Sequence, residues 1–297
     1  MVAAGREGAR VIPLAFEVDA AHGGRWTSVR GGGREWLWHR EEPRRARVAP
    51  GDAFADAGGL EECLPTVRGI PDHGDAWSRA WTAIDHQCAV RGPDFELTRG
   101  IDARSGAIVA DYRLVAEPGF RFIWAAHALL DVSEDARLLC GPGTRARLFP
   151  EAAPYLSEPW PAGADWIEAG WPAPAGLRLD RLGPDDGSAA GAVLHDNSAT
   201  ATATVRDGPD RLRLTVAADG QPASVALWRN LRGFPAGHPY RSIGVEPMLG
   251  RVFDVAQARA GDCAVTPAAG EVRWRLTISA YHDKDGADNH GSSGPAA

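Results

Sequence analysis

Residues 108–116 alternate without a break: Ile108, Ala110, Tyr112 and Leu114 fall on one side, Asp111 and Arg113 on the other. A period of two marks a strand with one face buried. Read the same way, the pattern predicts strands over 11–18, 25–30, 35–39, 95–99, 120–130, 189–195, 199–205, 211–216, 224–228 and 272–281. Turn residues separate them: His22-Gly23-Gly24, Gly31-Gly32-Gly33, Ser105-Gly106 and Pro118-Gly119. No stretch carries the 3.6-residue period of a long amphipathic helix. Many short strands with regular turns predict an all-β sandwich or barrel. No fixed-period repeat or low-complexity linker splits the chain, so one domain over 1–282 is expected. The polar, Gly/Ser-rich residues 283–297 are expected to be a disordered tail.

Two segments fall outside the pattern. Residues 40–58 are charged and rich in Ala, Gly and Pro, and read as a surface loop. Residues 150–176 are rich in proline and tryptophan, with Trp160, Trp166 and Trp171 among them. So many indoles are costly to leave in water, so this is an ordered loop or a lid rather than a linker.

Composition narrows the functions. At 297 residues the chain can bury a sizeable core without disulfides or metals. Eleven tryptophans against four tyrosines is a skewed ratio. Indoles stack on the C–H face of sugars, and equally fill ordinary cores. The formal charge of −7 gives no attraction for phosphate backbones, so no nucleic-acid partner is expected. Lys284 is the only lysine and sits in the polar tail, which argues against Schiff-base chemistry. Cys63, Cys88, Cys140 and Cys263 form no CxxC pair and read as free thiols. Neither a signal-peptide run nor the ~20 apolar residues of a membrane span occurs. A soluble cytoplasmic protein, monomeric or homodimeric, with no membrane partner is expected. The chain has no GxSxG nucleophile elbow.

Four segments hold candidate chemistry: Gly58-Gly59-Leu60-Glu61-Glu62-Cys63-Leu64-Pro65-Thr66, Pro71-Asp72-His73-Gly74-Asp75-Ala76-Trp77, Phe122-Ile123-Trp124-Ala125-Ala126-His127-Ala128-Leu129-Leu130, and Gly244-Val245-Glu246-Pro247-Met248. Each alone has a structural reading. His127 fits a satisfied core histidine, Glu246 a buried ion pair, and His73 a turn residue. An unpaired carboxylate among Val245 and Pro247 needs a partner or a raised pKa.

Taken in order, the segments resemble the aldose 1-epimerase (galactose mutarotase-like) superfamily, in its distant bacterial branch. Gly23-Gly24-Arg25-Trp26-Thr27-Ser28-Val29, Gly33-Arg34-Glu35-Trp36-Leu37-Trp38 and Leu227-Trp228-Arg229-Asn230 fit the same pattern, and the matches run from about residue 23 to about residue 250. The resemblance implies a supersandwich of antiparallel sheets with a sugar site on the concave face. It implies an isomerase that needs no cofactor or metal, with Glu246 as general base and His127 as general acid. His73 would bond the sugar near its ring oxygen. Ring opening needs a base for the anomeric hydroxyl and an acid for the ring oxygen, and a carboxylate with a histidine suits that exchange. Candidates for the pocket wall are Glu62, Asp72, Trp77, Trp124, Trp228 and Asn230.

Two departures keep alternatives open. The family's sugar-binding aspartate has no counterpart in context; Asp165, Asp180, Asp185 and Asp196 read as turn residues. Trp77 stands where related hexose-phosphate epimerases carry an arginine, which favours an unphosphorylated ring, with Arg79 close by. An isomerase or cyclase on a sugar-like metabolite and a non-catalytic carbohydrate binder are the other readings. A metal held by His73, His127 and Glu246 is a minor one.

Overall fold

The computed structural model describes residues 9–283. Lys284 and all but the first residue of the expected tail lie outside the described residues. Asp283 itself ends a strand, pairs with Ala9 and accepts from Arg211.

The expected all-β architecture is present as two large antiparallel sheets. The nine-stranded sheet centres on Glu271–Asp283, paired on one side with Asp210–Ala217 and on the other with Ala107–Ala116. Ala107–Ala116 alternates in burial as its sequence predicts: Ile108, Ala110, Tyr112 and Leu114 are buried. The ten-stranded sheet runs, through its middle, Ala189–His195, Ala223–Leu231, Arg241–Leu249, Trp124–Ala128, Leu60–Cys63 and Arg25–Gly31. A separate two-stranded ribbon joins Arg121–Phe122 to Ala264–Val265. Among the described residues, helix is limited to short 3-10 turns.

The middle strands of the ten-stranded sheet are buried on both faces. Every residue of Trp124–Ala128 and Ala189–His195 is buried, as is all of Arg241–Leu249 except its first. One face packs on the nine-stranded sheet through a continuous apolar cluster containing Trp26, Leu60, Trp124, Ala126, Leu227, Val245, Tyr112, Trp274 and Leu276. The other face is roofed by loops, and a second cluster of Cys63, Val67, Phe149, Met248 and Phe253 lies there. Residues 150–176 are ordered, as expected: Trp160 and Trp171 pack on the first cluster and Trp166 on the second.

The inter-sheet core encloses one ion pair. Glu62, fully buried, accepts from Arg99 Nη1 at 2.6 Å, Tyr112 Oη at 2.8 Å and Trp124 Nε1 at 2.7 Å. Arg99 also donates to the Gly24 carbonyl at 2.8 Å and lies 4.5 Å from the Trp81 ring centre. A buried charge is tolerated where its lone pairs are met in this way. Glu62 and Trp124 are therefore not pocket-wall residues. Leu60 and Glu62 share one face of their strand and Trp124 shares one with Ala126, and both faces point into the core between the sheets.

Candidate active site on the ten-stranded sheet

Strand register places the site. Ala226 opposes Glu246, and Leu129 opposes Gly244 while Ala125 opposes Met248. Glu246 and His127 are therefore direct cross-strand neighbours. His127 opposes Glu61, and the Trp26–Leu60 pairing puts Arg25 beside Glu61. A ladder of Glu246, His127, Glu61 and Arg25 thus crosses four strands on the face turned away from the other sheet.

The two carboxylates beside His127 differ. Arg45 grips Glu61 with both prongs, Nε at 2.7 Å and Nη2 at 2.9 Å, and Arg25 lies 3.7 Å away. Burial pushes the Glu61 carboxyl up against the pull of Arg45. Glu246 has His127 as its one charged partner among the described residues, Nδ1 to Oε1 at 2.9 Å. That contact is close but poorly aligned, since Nδ1 has no partner meeting hydrogen-bond geometry. Burial acts to lower the His127 pKa, but the Glu246 carboxylate outweighs it and holds the imidazole at about 9. At neutral pH His127 is therefore protonated where it faces Glu246.

His73 reaches the same place from a loop. Its ring centre lies 5.2 Å from that of His127, nearly perpendicular. Its Nδ1 is 2.9 Å from Asp72, so an ionised Asp72 accepts a hydrogen bond from Nδ1–H and leaves Nε2 with a lone pair. Burial, reinforced by the His127 charge, lowers the His73 pKa despite Asp72, so the ring is neutral at pH 7. His73 sits at φ 58°, a left-handed conformation uncommon outside glycine and one that gathers at functional sites.

The loop of residues 40–58 is a roof rather than a plain surface loop. Phe54 stacks on His73 at 3.7 Å and meets His127 edge-on at 5.6 Å. Beneath it, His127 and Glu246 are only 7% and 2% exposed. Asp56 fastens the loop by accepting from Tyr240, which in turn stacks on Trp38 at 5.6 Å.

Among the expected wall residues, Asp72 and Trp228 lie on this face. Trp228 is half-buried beside Gly244, its Nε1 donating to Ser242 at 3.2 Å. Two others need correction. Trp77 is fully buried below Phe54 and donates Nε1 to the Asp72 carbonyl at 3.1 Å, so it holds the Asp72–His73 loop and presents no ring face. Asn230 is fully buried and spends its amide on the 230–234 turn: Oδ1 accepts from Gly233 and Phe234, Nδ2 donates to the Phe234 carbonyl. Arg79 is committed to Asp75 at 2.8 Å. Asp165, Asp180 and Asp185 pair with arginines, and Asp196 caps its own turn.

Sequence reasoning passed over Glu61, Arg45 and Phe54. For Glu61 a signal existed: the side chain sharing a strand face with Leu60 belongs to the core, and its neighbour belongs to the opposite face. Arg45 and Phe54 come from a loop with no period to read. Among the described residues, no group of three or more His, Cys, Asp or Glu side chains is arranged to hold a metal ion, and no helix is long and apolar enough to cross a membrane.

Solved structures share this arrangement of sheets. A galactose mutarotase related enzyme from Lactobacillus acidophilus superposes with a TM-score of 0.61 at 13% identity, covering 93% of this chain and 98% of its own. A galactose mutarotase-like protein from Lactobacillus casei gives 0.59 at 14%, covering 92% and 100%. The galactose 1-epimerase of Lactobacillus acidophilus gives 0.53 at 14%, covering 91% and 92%. The fold is galactose mutarotase-like. At these identities the likeness is one of fold. The sequence matches no family model and no curated protein. In the galactose mutarotase-like fold seen here, Glu246, His127 and His73 gather on the sheet face turned away from the core.

Proposed function

We propose that this protein is an aldose 1-epimerase that interconverts the anomers of an unphosphorylated sugar. The observation that carries the reading is the Glu246–His127 pair: a carboxyl group with no arginine on it among the described residues, its Oε1 2.9 Å from His127 Nδ1. Glu246 takes the proton of the anomeric hydroxyl. The C1–O5 bond breaks as its electrons go to the ring oxygen, which takes a proton from His127. Rotation about C1–C2 presents the other face of the aldehyde. His127 then recovers its proton, Glu246 returns one to the carbonyl oxygen, and the ring closes as the other anomer. Each transfer contributes about 10²–10⁴-fold. Neutral His73, its Nδ1 proton directed to Asp72, accepts a sugar hydroxyl at Nε2. Trp228 offers its ring to the sugar's C–H face. No step requires a cofactor, and a small sugar is the only partner the chemistry calls for.

Phe54 favours a second reading. An apolar roof on the pair suits a ligand with an apolar portion, as in an isomerase or cyclase acting on a sugar-like metabolite.

Polarimetry on freshly dissolved α-glucose and α-galactose separates these. Wild type is expected to speed the relaxation, and Glu246→Gln and His127→Ala to lose that acceleration with circular dichroism unchanged. If both variants stay active, the acid–base assignment is wrong. If wild type binds both sugars without accelerating either, the second reading or a non-catalytic binder takes its place.

A further inference from the structure

Beside the ladder of Glu246 and His127 runs a second row on the same face: Gly191 opposes Trp228, and Trp228 opposes Gly244. Trp228 thus stands between two glycines in the middle of a large sheet, its indole bonded to Ser242 and edge-on to Phe234. Glycine inside a strand weakens it and marks a close approach by something else. Neither glycine has a positive φ, so their backbone does not require glycine. Space does. A Cβ on Gly244 would lie 2.3 Å from Glu246 Oε1. A Cβ on Gly191 would lie 3.0 Å from Glu151 Oε1 and 3.3 Å from Arg68 Nη2. Each end of the row is therefore occupied by a carboxylate folded down onto a glycine.

The two ends are chemically distinct. Glu246 faces an imidazolium; Glu151 accepts from Arg68 Nη2 at 2.5 Å. The Arg68 guanidinium lies 4.6 Å from the Phe253 ring centre and 5.9 Å from that of Phe149, a packing that limits its swing. Both side chains remain open, Arg68 42% and Glu151 30% exposed, and both line a cleft of about 440 Å³ whose other walls include Phe149, Asp165, Phe253 and Gln257 but neither Trp228 nor Glu246. This is far from the enclosed Glu62–Arg99 pair. A guanidinium and a carboxylate side by side supply donors and acceptors together, which is what adjacent ring hydroxyls need.

We propose that Arg68 and Glu151 form the far end of a groove one sugar ring long, binding the hydroxyls on the ring edge opposite Glu246, with Trp228 as its floor. The proposal rests on the reading of Glu246 and His127 as base and acid, and adds the residues that set which sugars bind. Gly191 and Gly244 are two strand spacings apart, about 10 Å. That span holds one six-membered ring with its two opposite hydroxyls and a hydrogen bond of about 2.8 Å at each end. A disaccharide laid along the row is too long.

The test compares D-glucose with 4-deoxy-D-glucose, which lacks the hydroxyl opposite C1. Mutarotation and calorimetric binding are measured for wild type, Arg68→Met, Glu151→Gln and Glu246→Gln. Wild type is expected to bind the deoxy sugar about ten- to a hundredfold more weakly, the worth of a hydrogen bond to a charged group. Arg68→Met and Glu151→Gln are expected to bring glucose down to the level of the deoxy sugar, with no further loss for the deoxy sugar itself. Their loss falls on KM, whereas that of Glu246→Gln falls on kcat. Equal binding of the two sugars by wild type overturns the proposal without any variant. So does an unchanged KM in both variants while Glu246→Gln is inactive, a result that leaves the acid–base reading standing. Failure of wild type to bind either glucose or galactose overturns both.

Discussion

Glu62 and Glu246 are carboxylates on opposite faces of one sheet, both 2% exposed or less, and they are treated in opposite ways. Glu62 takes three hydrogen bonds, from an arginine, a tyrosine and an indole, and its arginine is itself tied to a backbone carbonyl. Among the described residues Glu246 has one charged partner, whose facing nitrogen is poorly aligned to it. Saturation makes a bolt. A carboxylate left with lone pairs to spare beside a proton donor is the arrangement that chemistry needs, because a group already fully bonded gains nothing from a substrate. Glu61 sharpens the contrast: it lies on the same face as Glu246 and flanks the same histidine, yet Arg45 holds both its oxygens.

The largest effect expected from breaking this contrast is on stability. Glu62→Ala strands Arg99 as an unpaired charge between the sheets, along with two orphaned donors, and is expected to cost about 3–5 kcal/mol. Glu246→Gln is expected to cost less, because His127 can shed its proton once its partner is neutral. Urea unfolding of the two variants at pH 7 checks this. Equal losses would mean that Glu246 is as structural as Glu62, and the comparison would fall.

That contrast was only half legible in the sequence. Alternation exposed strands with one face in the core and one near water, such as Ala107–Ala116. It failed at Arg241–Leu249, which carries Glu246, because both faces of that strand are buried and the 2-period disappears. Pro247, which cannot donate to a ladder, also argues locally against a mid-sheet strand. Glu246, His127, His73 and Asp72 could be named because their segments resemble a family in order, not because of any period. The choice of Glu62 over Glu61, and of Trp124 and Trp77 as stacking faces, failed for lack of side-chain direction. A one-residue shift along a strand turns a pocket residue into a core residue. The tie between Asn230 and the 230–234 turn, and the Phe54 roof, depend on loops whose path no periodicity encodes.

A change of pH sharpens the comparison next. The His127 imidazole, held at about 9 against an ordinary 6.5, is raised in the folded protein. Its pairing with Glu246 therefore contributes fully below about pH 6.5 and is lost as the pH climbs through 9. Unfolding free energy is expected to decline across that window in wild type, and kcat to fall on an alkaline limb near 9 as the acid loses its proton. In Glu246→Gln the largest pull against burial is gone and only the weaker ones of Asp56 and Glu61 remain, so the imidazole should titrate well below 9 by nitrogen NMR and the decline in stability across that window should shrink. A His127 that titrates near 6.5 in both proteins would show that the two side chains are neighbours without being coupled.

The smallest effect concerns the roof. Phe54 closes over Glu246 and His127, whereas nothing of that kind has to move for Glu62, which is sealed by the sheets themselves. Its ring packs on His73 at 3.7 Å, on Trp77 at 4.9 Å and on His127 at 5.6 Å, so a sugar reaching the pair must displace it or slide beneath it. Phe54→Ala removes the roof but leaves Asp56, Tyr240 and Trp38 to hold the loop. If the ring shields the pair and must yield to the substrate, the variant is expected to bind glucose a few-fold more tightly, because no packing has to be broken. It should also lower kcat a few-fold, because the pair is now wet and charge transfer there is less favoured. Opposed changes in KM and kcat mark a gate. A rise in KM with kcat unchanged would instead make Phe54 part of the binding surface, with the ring stacking on the ligand where it now stacks on His73.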